Sequence, residues 1–185
     1  DEFSSFARMP KPVFREELLL DICRQSMFLH EVAHPRIRFE LDAAQASISM
    51  VCDRRQLGQA ITNLLKNGVE AIEAKGEAAS GRIAIEVEHG VSQLQIRVID
   101  DGIGLPNERE RLVEPYMTTR TGGTGLGLAI VKKIIEEHHG ALLFDDRPGG
   151  GTIVIDAKTP LSARMDEDGE IDGNHARALL RHVDS

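Results

Sequence analysis

The chain has 185 residues, 41% of them hydrophobic, a formal net charge of −8 and a pI near 5.4. That is enough for one domain with its own core, and the acidic balance speaks against general nucleic-acid or anionic-membrane binding, though not against a local phosphate site made of backbone N–H groups. No apolar run reaches membrane-spanning length, no signal-peptide pattern opens the chain, and Cys23 and Cys52, without CxxC spacing, read as free thiols of a reducing compartment.

The chain opens at Asp1 without an initiator Met, which suggests a piece of something longer, so a membrane-anchored parent stays compatible with it. Asp1–Pro12 is polar and ends in Met9-Pro10-Lys11-Pro12, a linker. From Phe14 to about Ala33, Leu18, Leu19, Ile22, Met27 and Leu29 recur at near-helical spacing, and Pro35 stops the predicted helix. Arg36–Leu41 alternates as a half-buried strand, with Ile48–Cys52 expected as its hairpin partner. Asp53 suits an N-cap, and Leu57, Ile61, Leu64, Leu65, Val69 and Ile72 give the next helix one apolar face. After a turn at Gly76–Gly81, the alternating runs Ile83–Val87 and Leu94–Val98 predict a hairpin through His89-Gly90. Gly102–Gly125 is a long stretch rich in Gly, Thr, Arg and Pro, the kind that is usually functional. A helix over about Gly125–His138 and strands over Leu142–Asp145 and Thr152–Ile155 follow. From Ser162 the chain turns acidic, with a short amphipathic segment near Ala176–His182, and there is no internal repeat.

Four segments carry chemistry together. Asn63 and Asn67 are four apart and share a helix face. Their amide oxygens suit Mg²⁺, which needs only one or two protein ligands when phosphates supply the rest; alone, the pair reads more simply as two solvent-facing amides. In Asp100-Asp101-Gly102-Ile103-Gly104, a carboxylate at a strand end can accept from an exocyclic amine such as adenine's, while the glycines admit a ring. Gly122-Gly123-Thr124-Gly125-Leu126-Gly127-Leu128 opens a helix and frees N–H groups for phosphate. It is neither a dinucleotide fingerprint, lacking a parallel βαβ unit, nor a Walker loop, lacking Gly-Lys-Ser/Thr. Gly150-Gly151-Thr152 heads the last strand and by itself is a tight hairpin turn.

In this order and spacing, the four segments resemble the N, G1, G2 and G3 boxes of the sensor histidine-kinase catalytic domain, a branch of the gyrase, chaperone and mismatch-repair ATPase superfamily. The resemblance covers roughly Val13–Pro160 and is nearest to the NtrY type of nitrogen-regulation kinases. Residues 1–12 resemble the end of a dimerisation helix and its linker, and Glu114-Pro115-Tyr116-Met117-Thr118-Thr119-Arg120 resembles the lid. The resemblance implies an α+β fold: a two-layer α/β sandwich with a mixed, largely antiparallel sheet and helices on one face. It implies ATP and Mg²⁺ as ligands, with the metal on Asn67, assisted by Asn63. Asp100 would bind the adenine amine, and Gly102, Ile103 and Gly104 would line the base pocket. Gly123, Thr124, Gly125, Leu126, Gly127 and Leu128 would meet phosphates, Thr152 would sit near adenine, and Arg120 could approach the γ-phosphate. The implied partners are a dimerisation and phospho-acceptor domain of the same protein and an NtrX-like response regulator. The fragment itself is expected to be monomeric, the cytoplasmic part of a membrane-anchored homodimer, with residues 161–185 an acidic, flexible tail.

Some positions depart from the family pattern. Gly68 stands where alanine is usual, a mild helix cost. Glu70 and Ala71 replace a Lys-Tyr pair that touches phosphate and stacks on adenine, and Val113 replaces the lid phenylalanine. Hydrolysing relatives carry Glu where this chain has Asn63, and an amide cannot take a proton from water. The primary expectation is therefore a kinase domain that holds ATP for a histidine elsewhere. The alternatives are a degenerate nucleotide-binding regulatory module or an ATPase clamp. Other motifs are set aside. His30-Glu31-Val32-Ala33-His34 fits HExxH but is cut off by Pro35, with no convincing third ligand. As a phospho-acceptor box it lacks a helical hairpin, leaving His30 as a helix-end surface residue. His138-His139 suits the negative end of a helix dipole. Asp166–Glu170 lacks a calcium loop's glycine placement, and Arg177 falls where its bidentate Glu belongs.

Overall fold

Arg15-Glu16-Glu17 offers no apolar residue for a helical stripe, and here the chain is extended rather than helical. In a computed structural model, which describes residues 2–90, 93–117 and 125–157, a short helix α1 (Glu2–Ala7) is followed by strand β1 (Arg15–Leu18) and helix α2 (Leu19–Ala33). The helix predicted from Phe14 thus starts five residues late. Ser49–Cys52, the strand β3, claims β1 as an antiparallel partner, Arg15 opposite Cys52 and Leu18 opposite Ser49. α2 ends as expected just ahead of Pro35, with His34 N–H donating to His30 O at 2.9 Å.

β2 (Ile37–Ala43) does not form the predicted hairpin with β3. It lies parallel to β4 (Gly81–His89), Ile37 opposite Gly81 and Ala43 opposite Val87. The reason lies in burial. Met50 and Cys52 are buried in the same core as Leu19, Ile22, Cys23 and Leu57, and Leu19 N–H donates to Ile48 O. β3 is therefore drawn off the main sheet. A parallel pair needs a crossover, and α3 (Arg54–Glu73) supplies it. The main sheet runs β2-β4-β5-β7-β6, with β5 at Leu94–Asp100, β6 at Gly140–Arg147 and β7 at Gly150–Ala157. Every pair but β2–β4 is antiparallel. Between β5 and β6 stand a 3₁₀ turn (Arg109–Val113) and helix α4 (Gly127–Glu137).

The expected two-layer sandwich with a mixed sheet holds. Ile83, Ile85, Val87, Leu94, Ile96 and Val98 project from one face of the sheet into a core closed by Leu57, Ile61, Leu64, Leu65 and Ile72 of α3 and Ile130, Val131, Ile134 and Ile135 of α4. The alternate positions Arg82, Glu86 and Arg97 are only partly buried. Near the sheet edge Arg82 and Arg38 both pair with Glu40. Cys23 and Cys52 are buried thiols, each pushed up to about 12, chiefly by burial, so neither is a ready nucleophile. Among the described residues no helix is long and apolar enough to cross a membrane. Arg120, Gly123 and Thr124, the acidic run at 166–170 and the amphipathic segment at 176–182 lie outside the described residues.

Candidate functional site

Alternation along β5 turns Asp100 inward at the strand's end, opposite Ile83 on β4 and Gly151 on β7. Its side chain is buried, and Oδ1 accepts the Gly102 N–H at 2.8 Å. Three glycines from three elements leave room around that carboxylate. A Cβ on Gly68 of α3 would stand 3.4 Å from Asp100 Cβ and 3.1 Å from Ile83 Cδ1, and one on Gly151 would stand 3.5 Å from Asp100 Oδ2. One on Gly102 would meet Ala71 Cβ at 2.4 Å. Gly68, expected only as a helix cost, is thus a close-approach position between α3 and the sheet. Ala71 forms the floor beneath Gly102 and is itself buried.

The neighbouring carboxylate has a different task. Asp101 accepts from Arg82 N–H at 3.1 Å and faces Arg147 at 3.5 Å, while its carbonyl accepts from Lys75 Nζ at 2.8 Å. It fastens the turn, whereas Asp100 faces the cradle. Ile103 N–H donates to Ala71 O at 3.1 Å, and the Ile103 side chain is exposed. Gly104 adopts a left-handed φ of 85° close to Gly150 O. Thr152 lies on β7 opposite Ile99 and Asp145.

Across from this turn stands the start of α4. Its first N–H groups have no intrahelical acceptors, and the dipole makes that end positive. Leu126 is buried beneath it and Leu128 packs against the core. Asn63, on α3, donates from Nδ2 to Gly127 O at 3.3 Å, which sets its amide beside that helix end. Asn67 lies one turn further along α3. Gly125 has a φ of 73°, and a Cβ there would lie 2.5 Å from the Tyr116 carbonyl carbon, so the lid segment crosses directly over it. The fold thus ties Asn63 to Gly127, packs Gly68 and Gly151 against Asp100 and Gly102 against Ala71, sets Gly104 near Gly150, and keeps Asn67 on α3 beside Gly68. The donor set fits a magnesium nucleotide: hard amide oxygens on α3, a buried acceptor, and backbone N–H groups at a helix start.

Sequence reading missed a second polar cluster at the far ends of the same helices. Asp53 caps α3 as expected, Oδ1 accepting from Gln56 N–H at 3.0 Å, but Oδ2 also accepts from Val13 N–H at 2.9 Å. Burial pushes its carboxyl up, and these hydrogen bonds outweigh it and hold it below the usual range. His138 is not the dipole-facing cation that its place at a helix end suggested. It is buried, Nδ1 donates to Ile134 O at 2.8 Å, and Nε2 accepts from Asp53 N–H at 3.0 Å. Burial lowers its pKa, against the opposing pull of the Ile134 carbonyl and of the Asp53 and Glu137 charges. A folded value below the ordinary imidazole value of about 6.5 means that the unfolded chain binds the proton more readily. Stability is therefore fully present above about pH 6.5 and is lost as pH falls toward the folded value. His30, lowered first by burial and then by His34, acts in the same direction. The fall in Tm between pH 7.5 and 5.5 should shrink in His138→Gln, leaving the part due to His30; an unchanged slope, read by calorimetry, would assign the effect elsewhere.

The family model described as "Histidine kinase-, DNA gyrase B-, and HSP90-like ATPase" matches residues 52–163. The chain belongs to that family. Within this ATPase family, the nitrogen regulation protein NtrY of Azorhizobium caulinodans is 50% identical over 153 residues, 81% of this chain and 20% of that protein. A putative NtrY-like sensor histidine kinase of Rickettsia bellii is 34% identical over 83% of this chain and 25% of its own length. The chain thus spans about a fifth to a quarter of these relatives. The catalytic domain of histidine kinase ThkA superposes with a TM-score of 0.71 at 31% identity, covering 79% of this chain and 95% of that one. ThkA in complex with the response regulator TrrA superposes with a TM-score of 0.67 at 28% identity, over 80% of this chain and 42% of that one.

Proposed function

We propose that residues 13–160 are the ATP–Mg²⁺-binding catalytic domain of a two-component sensor histidine kinase, which presents the γ-phosphate to a histidine on a separate dimerisation domain. The observation that carries this reading is the buried Asp100 carboxylate, cradled by Gly68, Gly102 and Gly151, with the start of α4 tied to the same helix α3 through Asn63. Asp100 accepts from the adenine amine, Gly102, Ile103 and Gly104 border the base, and Thr152 stands beside it. The amides at the start of α4 and the preceding Gly123–Leu126 segment receive the phosphates. Asn67, with Asn63, would hold Mg²⁺, which neutralises triphosphate charge when bound. Arg120 would pair with the γ-phosphate, which suits a guanidinium fork. The acceptor imidazole nitrogen attacks the γ-phosphorus as its bond to the bridging oxygen of ADP breaks, so the domain's contribution is positioning and charge stabilisation. Asn63 cannot serve as a base for water, which keeps ATP for transfer.

Residues 1–12 are then the end of the dimerisation helix and its linker, residues 161–185 an acidic segment outside the catalytic domain, and the parent a membrane-anchored homodimer with this domain in the cytoplasm. An NtrX-like response regulator is the proposed downstream partner, by analogy with ThkA, whose solved complex holds the response regulator TrrA.

Mixing the chain with γ-labelled ATP, Mg²⁺ and a separately made NtrY-type dimerisation domain tests this. Label should appear on the acceptor histidine and not on this chain alone. Rapid phosphate release without transfer would favour the ATPase clamp. Absence of any nucleotide binding would favour the regulatory module. Gly127 tests the phosphate contact separately. A Cβ there meets nothing within 4 Å in the ligand-free fold, so Gly127→Ala should leave Tm unchanged or raised, yet weaken ATP severalfold by crowding the phosphates. Unaltered affinity would remove Gly127 from the phosphate path.

A further inference from the structure

α3 and α4 run in opposite directions and are tied by polar groups at two levels. The upper tie is Asn63 Nδ2 to Gly127 O, beside the nucleotide space. The lower tie is Asp53 N–H to His138 Nε2 at 3.0 Å. From Asp53 to Asn63 is about 15 Å of helix, and from His138 back to Gly127 about 16 Å. The two ties therefore span matched lengths, and the register of one helix against the other is set at both. The imidazole is well suited to the lower position. It is buried, its Nδ1–H is committed to Ile134 O, and its Nε2 is left as the acceptor for an N–H at the start of α3. Without it that N–H would be buried and lack this acceptor, an arrangement that folded chains avoid.

The chain entering the domain is fastened to this same tie. Val13 N–H donates to Asp53 Oδ2 at 2.9 Å, and Gln56 Nε2 donates to Pro10 O at 2.8 Å. The Phe14 ring packs edge-on to His138, with centroids 5.1 Å apart. Further up α4, Lys133 lies 5.7 Å over the Phe6 ring and reaches Phe6 O at 3.5 Å.

We propose that His138 is a positioning residue for the nucleotide site, and that Pro10–Phe14 is the clamp that holds it in place. The lower tie fixes how α3 sits against α4, and through two rigid helices it fixes how Asn63 and Asn67 face the first amides of α4. Displacement of the linker loosens the tie and weakens nucleotide binding at the far end. This inference rests on the reading of that space as an ATP–Mg²⁺ site.

The test compares His138→Ala, His138→Gln, Gln56→Leu and Met27→Ala with the parent chain. Glutamine can restore an acceptor for Asp53 N–H. Gln56→Leu removes the Pro10 anchor without touching His138, and its cost is small because Gln56 Oε1 is buried without a partner. Met27→Ala lowers stability from α2, away from both ties. The expected result is a Kd for ATP–Mg²⁺ raised about tenfold in His138→Ala, severalfold in Gln56→Leu, and not in Met27→Ala, with recovery in His138→Gln. Hydrogen exchange of amides 130–133, the first hydrogen-bonded turn of α4, measured without nucleotide, should be faster in His138→Ala and Gln56→Leu alone. Equal Kd shifts in His138→Ala and Met27→Ala, or unchanged exchange at 130–133, would overturn the proposal. A parent chain that binds no nucleotide but shows the exchange pattern would sink the ATP reading and leave the coupling of the ties standing.

Discussion

Asp100→Ala should raise the Kd for ATP by roughly 10- to 150-fold, the worth of one hydrogen bond to a charged acceptor at about 1.5–3 kcal/mol. The carboxylate is buried at the end of β5, in a space that the glycines of α3 and β7 leave open, so no water replaces it cheaply once adenine is seated. Asp100→Asn separates two contributions. It keeps an oxygen for Gly102 N–H, which now binds Oδ1 at 2.8 Å, but it loses the charge, so its affinity should fall between the two. Titration calorimetry on all three proteins reads this directly. If Asp100→Ala binds ATP as well as the parent, the base lies elsewhere.

Gly102→Ala should lower stability by about 1–3 kcal/mol, the usual cost of an added methyl in a packed site, or roughly 2–12 °C in Tm for a chain of this size. Its Cβ would stand 2.4 Å from Ala71 Cβ and 2.6 Å from the Ala71 carbonyl carbon. The second contact is with α3's backbone, which cannot rotate away, so the G1 turn must lift. Lifting it pulls Gly102 N–H from Asp100 and Ile103 N–H from Ala71 O, and ATP affinity should fall with stability. Pairing the change with Ala71→Gly removes the nearest atom but not the backbone contact, so Tm should recover in part. A Gly102→Ala protein with parental Tm and affinity would mean that the turn has slack the packing does not show.

Periodicity made most of the fold legible. The Leu57–Ile72 stripe gave α3, and the alternation at 83–87 and 94–98 gave β4 and β5, because each buries one face in the same core. The failure at β1–β3 has a physical cause. Ile48–Cys52 alternates like any strand, but alternation reports only that one face is buried, not against what. Met50 and Cys52 bury against helices, and β2 finds its partner across the α3 crossover instead. The proposed site rests on box order, which puts Asp100, Gly127 and Gly151 at element ends and Asn63 midway along α3, and packing then brings Asn63 to Gly127 and Gly151 to Asp100. His138 was not legible. A histidine at a helix end looks like a solvated cation, and only the close packing of Phe14 and Asp53 turns it into a buried neutral acceptor. Gly68 looked like a weakness for the same reason: its worth lies in its distance to Ile83 and Asp100.

The most direct measurement is calorimetric titration of this chain with ATP and with GTP, each with Mg²⁺. A buried carboxylate accepts from the adenine amine but repels the guanine carbonyl at the same position. Saturable binding of one ATP, with GTP at least tenfold weaker, is the expected result. No binding to the folded chain, or equal binding of both nucleotides, would contradict an adenine pocket built on Asp100.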